Sequence, residues 1–157
     1  MTMQNHENKI HILFICHGNI CRSPMAEMVM KEMVRQKGLE AKFEISSMAA
    51  TTEEMGHDIY PPAKRTLTAH RIPYTKRSAA LITMKDYAWA DYIIAMDEEN
   101  IHDLSRLTQG DRDKKISRLL YWAGEKRDVA DPWFTDDYEK TYGDIVKGCR
   151  AVLERLS

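Results

Sequence analysis

Residues 16–23 read Cys-His-Gly-Asn-Ile-Cys-Arg-Ser, and Pro24 follows. A cysteine, an arginine and a serine in the spacing Cys-x5-Arg-Ser are the groups that attack on a phosphoryl centre requires. Cys16 supplies a thiolate nucleophile, and the planar fork of Arg22 can hold two phosphate oxygens at once. Ser23 can donate a hydrogen bond to the Cys16 sulfur, stabilising it as a thiolate and later as a leaving group. Loop amides and the guanidinium then meet the charge on the transferring group's equatorial oxygens. Rival chemistries fit less well. Cys16, His17 and Cys21 are zinc ligands by type, yet no second ligand pair follows at matching spacing. A dinucleotide-binding loop would carry three spaced glycines, and only Gly18 is present. Taken singly, each residue reads as a small core cysteine or a solvated arginine. The joint spacing points to a nucleophile in an anion cradle.

Such a loop works only where a strand feeds a helix, because there successive N–H groups converge and the helix dipole favours negative charge. The flanks supply both elements. Residues 9–15 (KIHILFI) predict a buried strand, and Pro24 predicts the first helical position, where its fixed φ is at home. Ala26, Val29, Met30 and Met33 then recur at helical spacing, predicting a helix to about Gly38. A cysteine at the mouth of that helix shares its positive field, which favours the thiolate. Gly18 is expected to let the backbone turn sharply.

Further strands are predicted over Lys42–Ser47, Asp91–Met96 and Lys115–Leu120, and further helices over Pro61–His70 and Asn100–Leu107. Ile145, Val146, Cys149, Val152, Leu153 and Leu156 fall on one stripe, predicting a C-terminal helix packed on the sheet. Strands alternating with helices imply parallel pairing, hence a single-domain, three-layer α/β fold. The whole chain, 1–157, is expected to form that domain, with residues 1–8 a flexible extension.

Composition narrows the function classes. Lys and Arg total 23 against 24 Asp and Glu, a net charge of −1, which argues against a strongly basic nucleic-acid binder. No apolar run approaches the ~18 residues of a membrane span. The polar start MTMQNHENK lacks the apolar core of a secretory signal. Three cysteines are too few and odd in number for a disulfide framework, so a reducing cytoplasm is expected.

The run ICHGNICRSPMAE resembles the signature C-x-G-N-x-C-R-S-P of the low-molecular-weight protein tyrosine phosphatases. A second signature, Asp-Pro followed by aromatics, is matched by VADPWF at 129–134, and DYIIAMDEENIHDL at 91–104 resembles the family's third strand and following helix. The resemblance covers nearly the whole chain. It implies a four-stranded parallel sheet flanked by helices and hydrolysis of aryl phosphate monoesters through a phosphocysteine, with no metal or other cofactor. Cys16 would be the nucleophile, Arg22 the phosphate clamp and Asp131 the general acid and then base. His17, Gly18, Asn19, Ile20, Cys21 and Ser23 would form the phosphate-binding loop and its support, with Asn19 holding a strained conformation. Trp133, Phe134 and Glu53 would wall the substrate pocket. Cys21 is either a redox partner of the nucleophile or an inert buried thiol. The implied partner is a tyrosine-phosphorylated protein, and phosphate, vanadate and other oxyanions are implied inhibitors. No nucleic acid or membrane partner is expected, and the chain is expected to act as a monomer.

Departures from the family pattern refine these expectations. Trp133 and Phe134 replace the usual tyrosines, keeping a slot for a phenyl ring while losing two phosphorylatable hydroxyls. Apolar Ile20 stands where phosphoarginine-hydrolysing relatives place threonine, and so favours an aryl phosphate. His17 replaces a small or aliphatic residue; it either perturbs the pH profile or sits at the rim. Glu53 and Glu54 would disfavour acidic phosphopeptides. Arg77 falls where a family histidine supports the loop. Two other readings keep the same loop: an arginine phosphatase, and a phosphate-binding module without turnover. His57, His70 and His102 read as surface groups, the ten methionines as core filler, and DRDKK at 111–115 as a solvated loop. Asp97 reads as a helix cap rather than a neighbour of the site.

Overall fold

Seven residues, Ile10–Cys16, form strand β1 at the centre of a sheet that buries both of its faces, which is why they read as one apolar run. The computed structural model describes residues 8–157. β1 pairs in parallel with β2 (Phe43–Ala49) on one side and β3 (Tyr92–Ala95) on the other, and β3 pairs in parallel with β4 (Ile116–Arg118). The order is β2-β1-β3-β4. The expected single-domain, three-layer α/β fold with four parallel strands is thus observed. The extension expected at residues 1–8 lies outside the described residues, except for Asn8.

The two-residue period of β1 sorts its side chains. Ile12, Phe14 and Cys16 face helices α1 (Arg22–Gln36) and α6 (Tyr138–Leu156), while Leu13 and Ile15 face the opposite layer. That layer contains α3 (Met84–Trp89) and α4 (Glu98–Leu107), whose Tyr87 and Leu104 are buried there. Helix α2 (Pro61–Ala69) flanks the α6 side, and the four-residue α5 (Pro132–Thr135) leads into α6. Cys149 lies on the buried stripe of α6, as its spacing predicts. Gly148 beside it lets α6 approach Leu119: a Cβ there would come within 2.3 Å of the leucine side chain.

Several local expectations are corrected. The first helix begins at Arg22, so Pro24 occupies its third position; the N–H missing there is still one that a helix start leaves unpaired. That helix stops at Gln36, and Gly38 follows with φ +67°. The segment Lys115–Leu120 is strand only over Ile116–Arg118 and continues as a 3₁₀ turn, Leu119–Ala123, that buries both leucines. Helices α3 and α5 are too short for periodicity to reveal, and α3 is declared only by its Thr83–Asp86 capping box. Asp111 does more than solvate a loop: it accepts the Tyr87 hydroxyl proton at 2.7 Å and the Lys115 N–H at 2.9 Å, anchoring the entry to β4. Met25, Met28, Met30 and Met96 fill the core as expected, but Met55 and Met84 are exposed.

Candidate active site

The loop from Cys16 to Arg22 wraps the Cys16 sulfur in donors. Asn19 N–H reaches Sγ at 3.2 Å and Ser23 N–H at 3.4 Å, and Ser23 Oγ lies 3.1 Å away. The direction of each proton follows from its partners. Glu27 Oε1, a carboxylate, can only accept, so the Ser47 hydroxyl donates to it at 2.6 Å. Asn19 Nδ2 then donates to Ser47 Oγ at 3.0 Å and to Ser23 Oγ at 2.8 Å. Ser23, having accepted there, turns its own proton toward Cys16. A chain of oriented dipoles thus ends on the sulfur.

Asn19 is fully buried and has φ +59°, so it, rather than Gly18, is the left-handed residue of the loop. Gly18 instead sits close to a neighbour: a Cβ there would lie 3.0 Å from Glu54 Cγ, so the glutamate would have to give way. Asn19 is held from outside by Arg77, whose Nη2 donates to the Asn19 carbonyl at 2.6 Å and also to its Oδ1. Arg77 Nη1 reaches the His57 carbonyl at 3.2 Å, tying the 50s loop to the same point. Burial lowers the Arg77 pKa, and a guanidinium remains a cation regardless. The supporting group expected at this position is therefore present, with a permanent charge.

Arg22 is only 4% exposed at its side chain. Its Nη1 donates to Asp97 Oδ2 at 2.9 Å and to the Val129 carbonyl at 3.3 Å, and its Nη2 lies 3.4 Å from Asp131 Oδ2. Burial alone would lower its pKa, but the charges of Cys16, Asp97 and Asp131 prevail and raise it. Asp97 thus corrects the cap-only reading. Its Oδ1 accepts the Asn100 N–H at 2.7 Å to cap α4 while Oδ2 holds the arginine fork. Asp131 caps α5, its Oδ1 accepting the Trp133 N–H at 3.0 Å, which leaves Oδ2 turned to the cleft.

The cleft itself has a volume of about 310 Å³. Its floor is Cys16 and Arg22, and its lining includes His17, Gly18, Ile20, Cys21, Glu53, Glu54, Asp131, Trp133 and Phe134. All the residues expected in the pocket and its wall converge there; Asn19 and Ser23 lie buried behind it. Trp133 and Phe134 are 63% and 84% exposed, an apolar wall whose outer side meets Tyr60 edge-on at 6.0 Å. His17 lies at the rim, its Nε2 2.7 Å from Glu53 Oε2. Cys21 is buried against Ile20 and Ala79, with Tyr138 packed on the same cluster. Burial, and then the charge on Cys16, push its thiol up to about 12. A larger groove between α1 and the β2 edge is lined by no cysteine.

Glu27, Ser47, Glu99 and Tyr138 are parts of the site that sequence reasoning missed. A glutamate among the buried residues of an amphipathic helix was a usable signal for Glu27, since a buried carboxylate requires partners. The others reach the site from distant segments and carry no local signature.

The description "Low molecular weight phosphotyrosine protein phosphatase" belongs to a family model that matches residues 11–157. The low molecular weight protein-tyrosine-phosphatase YfkJ of Bacillus subtilis is 34% identical over 149 residues, 94% of this chain and 96% of its own. The YfkJ crystal structure matches this fold with a TM-score of 0.90 at 33% identity, covering 94% of each chain. The low molecular weight phosphotyrosine protein phosphatase of Sus scrofa is 37% identical over 152 residues, 92% of this chain and 94% of its own. The crystal structure of DARP, a drosophila arginine phosphatase, matches with a TM-score of 0.84 at 27% identity, covering 92% and 96% of the two chains.

Proposed function

The chain belongs to the low molecular weight phosphotyrosine protein phosphatase family, cysteine-dependent enzymes acting on phosphoproteins, and we propose that it hydrolyses phosphotyrosine with Cys16 as nucleophile. The observation that carries this assignment is the Cys16 sulfur, held by the Asn19 and Ser23 donors opposite Arg22 and Asp131 at the base of one cleft. In the first step the sulfur attacks phosphorus and the S–P bond forms as the P–O ester bond breaks. Asp131 gives its proton to the departing phenolate. In the second step water attacks the same phosphorus and the Asp131 carboxylate takes its proton; the S–P bond breaks, Cys16 is regenerated as the thiolate and inorganic phosphate is released. Arg22 exchanges its contact with Asp131 for two phosphoryl oxygens, while Asp97 keeps the fork aligned. Vanadate and phosphate, as oxyanions of the same shape, compete for that cradle.

Trp133, Phe134 and Ile20 supply apolar surface for a phenyl ring, which favours an aryl ester over phosphoarginine, whose guanidinium would meet no polar partner on Ile20. Glu53 and Glu54 disfavour acidic flanks on the substrate. Cys21 serves as the resolving thiol after Cys16 is oxidised. The reading is of a cytoplasmic enzyme that acts as a monomer; the three cysteines are free, and no helix among the described residues is long and apolar enough to cross a membrane. The test is steady-state hydrolysis of p-nitrophenyl phosphate by freshly reduced protein, with phosphoarginine in parallel. Cys16→Ser is expected to abolish turnover, and Asp131→Ala to lower kcat about 10²–10⁴-fold. Wild-type protein that binds vanadate but does not turn over is a binding module instead, and faster turnover of phosphoarginine reassigns the substrate.

A further inference from the structure

We propose that His17, Glu99 and Asp103 form a site for a divalent cation of the zinc type at the mouth of the cleft. The inference stands on geometry that the phosphatase chemistry does not use. His17 Nε2 lies 2.7 Å from Glu53 Oε2. A carboxylate can only accept, so Nε2 carries the proton of that contact and Nδ1 is the ring nitrogen open to a ligand. Nδ1 is shielded from solvent and has no hydrogen-bond partner. The group closest to meeting it is itself an acceptor, Glu99 Oε1 at 3.9 Å. The Nδ1 atom thus faces a carboxylate oxygen rather than a donor, an arrangement that a cation can bridge.

The third ligand follows from helical geometry. Glu99 and Asp103 lie four residues apart on α4, so both carboxylates fall on one face, toward His17. One ligand atom from each of the three residues lies within 4.8 Å of the others. Glu99 is 74% exposed at its side chain and can swing the remaining distance, whereas Asp103 is 17% exposed and already steadied by Arg106 at 2.7 Å. One imidazole nitrogen and two carboxylate oxygens, with a fourth position open to the cleft, suit Zn²⁺ better than the harder Mg²⁺ or Ca²⁺. Glu53 then plays the outer part such sites require, accepting the proton from the far ring nitrogen and fixing the tautomer that ligates. Seated beside the path of the anionic substrate, the cation would offset the carboxylates of the rim.

The assay is calorimetric titration of Zn²⁺ into Cys16→Ser protein, whose missing thiolate removes the competing ligand in the cleft; Co²⁺ absorption reports the coordination. Saturable binding of one cation per chain is expected. His17→Gln should abolish it, and Asp103→Asn and Glu99→Gln should each weaken it by about tenfold or more, all with thermal unfolding midpoints matching the parent's. Absence of saturable binding overturns the site. So does binding that survives His17→Gln, or that ignores both acidic substitutions. Asp103→Asn replaces a carboxylate by its isostere at a partly exposed position of a capped helix, which keeps the test informative if His17→Gln does not fold.

Discussion

Replacing Arg77 by methionine keeps a long unbranched stem while removing the guanidinium that braces the loop. Two of the acceptors it would strand belong to Asn19, which has no exposure to water; the third, the carbonyl of exposed His57, can be rehydrated. A buried acceptor that loses its partner costs about 1–3 kcal/mol. Arg77 is only half-buried, so water can follow into part of its space, and the lower half of that range applies. About 1.5 kcal/mol for each Asn19 oxygen gives roughly 3 kcal/mol, or a fall of about 6–12 °C in Tm for a chain of this size. Asn19 also loses what holds its left-handed backbone, and with it the N–H aimed at Cys16. The kcat for p-nitrophenyl phosphate should therefore drop by about tenfold or more, with KM less affected because Arg22 is untouched. Arg77→Lys, which restores a cation but not the fork, should fall between. Urea and thermal unfolding with steady-state kinetics on the three proteins decide the matter. An Arg77→Met protein that melts within about 2 °C of wild type and keeps its kcat would refute the bracing role.

Gly148→Ala should destabilise despite the better helix propensity of alanine. Forcing a methyl into Leu119 costs up to ~3 kcal/mol against ~1 kcal/mol gained, so Tm should fall by about 4–8 °C, and a rise would contradict the close approach. Burial alone would raise the pKa of Asp58, but Lys64 and the N–H groups of Ile59 and Arg77 prevail and hold it at about 2. Its folded pKa lies below the unfolded ~3.9, so its stabilisation is complete above that pH and is lost as pH falls toward 2; after solvent screening it is about 1 kcal/mol, and Asp58→Asn should flatten that acid limb of the unfolding curve. Cys21→Ala should leave reduced turnover nearly unchanged while making peroxide inactivation of Cys16 irreversible to added thiol; equal recovery of both proteins would remove Cys21 from the redox chemistry.

The sequence determined what is local. The apolar run of β1, the stripe of α6 and the Cys-x5-Arg-Ser spacing each follow from neighbouring residues, because a strand, a helix and a loop joining them obey periods of a few positions. The candidate nucleophile Cys16 and clamp Arg22 were legible for the same reason, and so was the parallel sheet, whereas the proposed part of Asp131 came from the family resemblance of its Asp-Pro-aromatic run. Tertiary structure decided what supports them. Ser47 and Arg77 meet Asn19 from separate segments, with Glu27 bonded behind Ser47, and Asp97 joins a helix cap to Arg22 across 75 positions of chain. The left-handed residue proved to be Asn19, since its side chain is bonded on every polar atom, whereas Gly18 had only to make room for Glu54. Hydrogen-bond direction in a buried network is set by which partners can only accept, and those partners are known only once the chain has folded.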